Sequence, residues 1–150
     1  HNAYEGGYID HVMNVARNAL RMMKLYKEAG GVIDFTQEEL LFTAFHHDLG
    51  KLGAKGELHY IDNDSQWHKD NLGQMYKFNE NLIAMKIGER SVYYATQHGI
   101  SFTETEYQAI MNFDKDLTDK QAMWFSEPMS IILRTANDLA MLDDKNTKTD

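Results

Sequence analysis

No cysteine occurs in the 150 residues, so disulfides and thiolate metal sites are both excluded. There is a single proline, which leaves long helices free to form. No apolar run reaches the roughly 18 residues that a membrane-spanning helix needs. Positive charge is short: 15 lysines and arginines face 23 aspartates and glutamates, for a net charge of −8. That balance disfavours a broad basic footprint for polymeric nucleic acid. It leaves room for a small anionic substrate held by a few local cations or a metal ion. Nor is there an internal repeat, a linker that would split the chain, or a trustworthy alternating strand pattern. The rest is ordinary globular usage, 43% hydrophobic and 25% charged, which fits one domain over residues 1–150 with a single core. Lack of cysteine is compatible with a reducing cytoplasm, the expected location. Opening on His1 rather than methionine, the sequence is expected to be a trimmed piece of a longer chain.

What is present is helical periodicity. Val12, Val15, Ala16, Ala19, Met22, Met23 and Tyr26 recur at helical spacing and predict a helix from Tyr8 to about Lys27, stopped by Gly30 and Gly31. Thr36 and Glu39 form a capping-box pair that opens a second helix to about Leu49, with Leu40, Leu41, Ala44 and Phe45 facing a core. Gly50, Gly53 and Gly56 punctuate a loop to about Asp64. Further helices are predicted over residues 65–79, 90–98 and 103–113, the last opened by a Thr103–Glu106 capping box. The charged stretch 114–125 is expected to be irregular. Ser126 and Pro128 open a final helix to about Leu142, and the polar tail from Asp143 is expected to fray. The fold class is all-α, a single compact bundle of about six helices.

The compositional oddity is seven histidines. In "AFHHDLGK" (44–51), a helix spends its apolar residues on a core and then ends in two histidines, an aspartate and a lysine. Burying such groups is costly unless something pairs with them. His11 sits one turn from Tyr8 and Val15, His47 shares a face with Leu40 and Ala44, and Asp138 follows Arg134 by four residues. Each has an ordinary reading: His11 as a hydrogen-bonded core histidine, Asp48 as a helix-end residue, Asp138 as the partner of Arg134. Together, imidazoles and carboxylates suit a divalent transition-metal ion.

The pattern His11, His47-Asp48 and a distant Asp138 resembles the HD superfamily of metal-dependent phosphohydrolases. "GGYIDHVMNVA" resembles the first-histidine helix of many members, "HHDLGK" the HD-x-GK signature, and "ILRTANDLA" the closing helix. The resemblance implies an HD-domain bundle and hydrolysis of a phosphate ester. His11, His47, Asp48 and Asp138 would hold a divalent ion (Mn, Fe, Co, Ni, Zn or Mg). Lys51 would hold a substrate phosphate oxygen, and Asp48 would also position the nucleophilic water. His68 and His98 lie where two-metal members carry further histidines, so they are candidates for a second metal or for the substrate phosphate. His1, and Tyr60 among the aromatics Trp67, Tyr76 and Phe78, are candidates for substrate contact; His46 is a candidate rim residue. Two departures stand out. Phe113 precedes Asp114 where related proteins often carry a histidine, and no glutamate follows the HD pair directly, Glu57 being the nearest.

The expected activity is therefore hydrolysis of a nucleotide or a related small phosphorylated metabolite, with no membrane partner and nucleic acid not favoured. Phosphodiester or 3′-to-5′ exonucleolytic cleavage is one alternative. A non-catalytic nucleotide-sensing or interaction module is another, and a helical domain whose histidines only fill gaps is the plainest.

Overall fold

A computed structural model describes residues 6–54, 56–115 and 123–146. Helix α1 (Gly7–Glu28) starts where Gly6 adopts φ 84°, and it buries Val12, Val15, Ala16, Ala19 and Met23 along one stripe. It ends where Gly30, at φ 87°, turns the chain; the Gly31 N–H donates to the Tyr26 carbonyl at 2.9 Å. Helix α2 (Gln37–His46) opens on the expected reciprocal box. Thr36 N–H donates to Glu39 Oε2 at 2.7 Å, and Glu39 N–H donates to Thr36 Oγ1 at 3.2 Å. The helix stops at His46, short of the predicted Leu49. Asp48 leaves helical geometry at φ −107°, and the chain tightens into a 3-10 turn, Leu49–Leu52. Phe45, expected in the core, is 40% exposed.

The predicted helix over 65–79 is overturned in its second half. Helix α3 (Gln66–Leu72) is capped by Ser65 and ends at Gly73, which sits at φ 63° and lets Gln74 N–H bond back to the His68 carbonyl. The chain then forms strand β2 (Tyr76–Phe78), antiparallel to β1 (Tyr60–Asp62), with Tyr60 opposite Phe78. Three residues per strand are too few to leave an alternating signature in the sequence.

Helix α4 (Ile87–Gln97) lies close to its prediction, and α5 (Glu104–Asn112) opens on the Thr103–Glu106 box. Helix α6 (Pro128–Asn146) continues four residues past the predicted end. Most of the charged segment, 116–122, and His1 lie outside the described residues.

The six helices make an all-α bundle in which α1 packs on α2 and α6, and α6 on α5. Ala19, Ala44, Ala136 and Ala140 are fully buried in the core, and these small side chains let the helices approach closely around Val15, Leu40 and Leu133. Burying each larger aliphatic contributes about 1.5–3 kcal/mol. Among the described residues no helix is long and apolar enough to cross a membrane.

Candidate metal centre

The end of α2 and the inner face of α1 meet at the edge of this core. His47 is the C-terminal cap of α2 and is fully buried. Its Nδ1–H donates to the Ala44 carbonyl at 2.6 Å, which makes Nε2 the lone-pair atom. Phe113 presses edge-on against the ring, with centroids 4.7 Å apart. Asp48, the next residue, is also fully buried. Its Oδ2 accepts from Lys51 Nζ at 2.5 Å and lies 3.5 Å from His11 Nε2 and 4.0 Å from His47 Nε2.

His11 enters from α1, 4% exposed. Its Nδ1 is 2.8 Å from Asp144 Oδ2, and its Nε2 is 3.2 Å from Asn137 Oδ1. Ligand atoms of His11, His47 and Asp48 thus all lie within 4.8 Å of one another. Metal–ligand bonds of about 2.0–2.2 Å place ligand atoms roughly 3–4 Å apart; the two separations from Asp48 Oδ2, 3.5 and 4.0 Å, fall in that range, and the group could close on one ion with a small adjustment.

Two further observations fit an ion. His47 Nε2 and Asp48 Oδ1 are buried lone-pair atoms with no hydrogen-bond partner among the described residues. Such orphans are rare unless a ligand takes them up. Burial holds the His47 pKa below its ordinary value, against the pull of Asp48, so the ring is neutral and able to ligate. For Asp48 burial works towards a raised pKa. In the acid range where a carboxyl titrates, protonated His47, then the Lys51 ammonium with its hydrogen bond, and protonated His11 outweigh it, and the carboxyl stays below its ordinary value. Tyr8, one turn before His11, has its phenol pushed up by burial and then by Asp48.

The turn carrying these groups is held from α4. Ser91 Oγ lies 2.7 Å from the His47 carbonyl and accepts from Gly50 N–H at 2.8 Å. Gly50 is required here, because a Cβ would sit 2.3 Å from the Ile87 carbonyl oxygen.

A cavity of about 370 Å³ opens beside Asp48 and Lys51, walled by Phe113, Arg134, Asn137 and Asp138. Asp138 therefore shares the cavity but stands outside the three-residue group. Its carboxylate is half exposed and 3.7 Å from Arg134 Nε. Leu133, Ala136 and Ala140 define the buried face of α6, and Asn137, not Asp138, is the residue that this face turns towards His11.

The other candidates are placed elsewhere. His68 belongs to α3, where its Nδ1 is 2.6 Å from Ser65 Oγ, and His98 caps α4, exposed, with Nδ1 2.9 Å from the Tyr94 carbonyl. Neither belongs to the group with His11. Tyr60 is 46% exposed on β1. His46 packs between Phe42 and Phe102 and bonds the Phe42 carbonyl. Glu57 accepts from Asn79 Nδ2 at 3.0 Å.

Sequence reasoning missed Asn137, Asp144, Ser91 and His59. His59 is 4% exposed and feels both Lys51 and Asp48; burial, then Arg90 and Lys51, lower its pKa. It lines a second cavity of about 530 Å³ with Phe78, Met85, Glu89 and Asp114, and this cavity shares Ile87 and Asp114 with the first. Compared with family models, curated proteins and solved structures, the chain matches none. A buried two-histidine, one-carboxylate group that could hold a metal ion is what the geometry defines.

Proposed function

We propose that the chain is an HD-type metal-dependent phosphohydrolase that cleaves the phosphate ester of a nucleotide or a similar small metabolite. The observation that carries this reading is the pair of buried, unpartnered lone-pair atoms, His47 Nε2 and Asp48 Oδ1, beside His11 and at the wall of an open cavity. A divalent ion held there would lower the pKa of a bound water and polarise a phosphoryl oxygen.

The chain's own residues supply the rest. Lys51, a third exposed, reaches the cavity and can hold a phosphate oxygen against developing negative charge. Arg134 lines the same cavity with its Nη1 unpartnered, a second donor for that oxygen set. With one Asp48 oxygen on the ion, the other would orient a water. His68 and His98 are not members of this group, which favours the single-ion reading; Asp138, at the cavity wall, is a candidate for the substrate side or for a water.

The adjoining cavity offers room for the leaving group of a small monoester. Phe78, Met85 and Ile87 supply apolar surface for a group such as a nucleoside, and Lys86, Glu89 and Asp114 supply charge of both signs at its wall. Metal analysis of the purified protein, followed by a screen of nucleoside monophosphates, dinucleotides and cyclic nucleotides, tests the reading. His47→Ala is expected to remove bound metal and turnover together. Turnover that survives in metal-free His47→Ala protein would end it.

A further inference from the structure

His11 Nε2 faces Asp48 at 3.5 Å and Asn137 Oδ1 at 3.2 Å, while the ring is held from its other nitrogen. In His47 that hold is the Ala44 carbonyl, a backbone group of the same helix. In His11 it comes from across the bundle. Asp144, 3% exposed and seven residues beyond Asn137 on α6, places Oδ2 2.8 Å from His11 Nδ1. Its Oδ1 accepts from Asn14 Nδ2 at 3.4 Å, one turn further along α1, so the carboxylate spans two positions of the facing helix.

We propose that Asp144 is the positioning residue of the metal centre: its carboxylate accepts a hydrogen bond from His11 Nδ1–H, fixes the ring plane, and so presents the Nε2 lone pair to the ion. This rests on reading the cluster as a metal centre. A carboxylate behind a ligating imidazole sets its tautomer and strengthens it as a ligand. It also brings a second buried acid to a site where Lys51 already offsets Asp48, leaving a net negative charge that favours a cation. The two histidines then share one tautomer by different means. The Ala44 carbonyl comes with the helix, whereas the His11 hold depends on one side chain that can be removed.

The test uses the whole chain and two readouts. Competition between a chelating dye and the protein for Mn²⁺ or Zn²⁺ gives the affinity, and ¹⁵N chemical shifts of the His11 ring in metal-free protein give the tautomer. Asp144→Ala is expected to weaken metal binding about 10–100-fold and to release His11 into a mixture of tautomers. Asp144→Asn, which still accepts the Nδ1–H hydrogen bond but lacks the charge, is expected to keep the tautomer and recover part of the affinity. Asp143→Ala, the exposed neighbour, should leave both readouts at wild-type values. If Asp144→Ala does not fold, the Asn variant carries the test, since full wild-type affinity there removes any role for the charge. An unchanged His11 tautomer in Asp144→Ala overturns the proposal whether or not metal is bound. A wild-type protein that takes up no metal instead overturns the metal-centre reading on which the proposal stands.

Discussion

At the scale of the residue, the centre is a problem of keeping charge states fixed in a dry place. Burial holds His47 neutral, and burial, then Arg90 and Lys51, does the same for His59. In the unfolded chain both titrate near the ordinary 6.5. Below that pH the unfolded state binds protons that the folded state does not, so stability falls with pH; above it the effect vanishes. Each histidine contributes a slope of at most about 1.4 kcal/mol per pH unit. Asp48, ionised in the folded state, adds a similar loss only as pH falls below its ordinary 3.8. Urea unfolding of metal-free protein between pH 8 and 5 should show the first decline, and His59→Gln should make it shallower; an equal slope would mean that His59 titrates alike in both states. Lys51 gives a sharper contrast. Its ammonium competes with any cation for Asp48 Oδ2. Lys51→Met is therefore expected to bind metal at least as tightly as the wild type while phosphate-ester turnover falls about 10²–10³-fold. Parallel loss of affinity and turnover would assign Lys51 to structure instead.

At the scale of the element, the caps and stripes were legible and the ends of the elements were not. Thr36–Glu39 and Thr103–Glu106 announce helix starts because the box is a local hydrogen-bond pattern written in four residues. Val12 to Met23 announce the buried face of α1, and His11 falls on it; His47 and Asp48 were likewise found from the end of an apolar stripe. The ends of α3 and α6 depend on partners distant in sequence. β2 exists because β1 is beside it, and α6 runs on to Asn146 with Asp144 bonded to His11 of α1. The first part of a tail that looks frayed by its polarity, through Asn146, is thus helical and bonded to a residue 133 positions away, the residues after it lying outside those described, and no window of sequence carries that information. Asp138 illustrates the same limit, since one step around α6 decides whether Asn137 or its neighbour faces His11. His59 gave no signal, because its place depends on the three-residue strands. The joint between α4 and the 3-10 turn offers a test at this scale. Gly50→Ala pushes a methyl into the Ile87 carbonyl and against Arg90, so it is expected to cost about 1–3 kcal/mol and to displace Lys51. Thr36→Ala, at the far end of α2, should cost about 1 kcal/mol in urea and leave metal uptake unchanged.

At the scale of the molecule, the three candidate ligands join segments that the chain itself connects only through long stretches. His11 belongs to the first helix, His47 and Asp48 to the turn that closes the second, and the Asp144 support comes from the last. An ion bound there would tie α1 to the end of α2, and through His11 it would tighten the α1–α6 seam that forms much of the core. Because the unfolded chain does not gather these groups, binding free energy becomes folding free energy. At a free metal concentration 100 times the dissociation constant the gain is about 2.7 kcal/mol, and at 1,000 times about 4.1. For a domain of 150 residues each kcal/mol moves the midpoint by roughly 2–4 °C. Adding Mn²⁺ or Zn²⁺ to chelator-treated protein should therefore raise Tm by roughly 5–15 °C in a concentration-dependent way, and excess chelator should reverse it. His47→Ala should melt at one temperature with or without metal, whereas His98→Ala, at the exposed end of α4, should keep the full shift. A wild-type Tm indifferent to metal would leave His47 Nε2 and Asp48 Oδ1 as true orphans. The helical domain whose histidines merely fill gaps would then be the better description of the molecule.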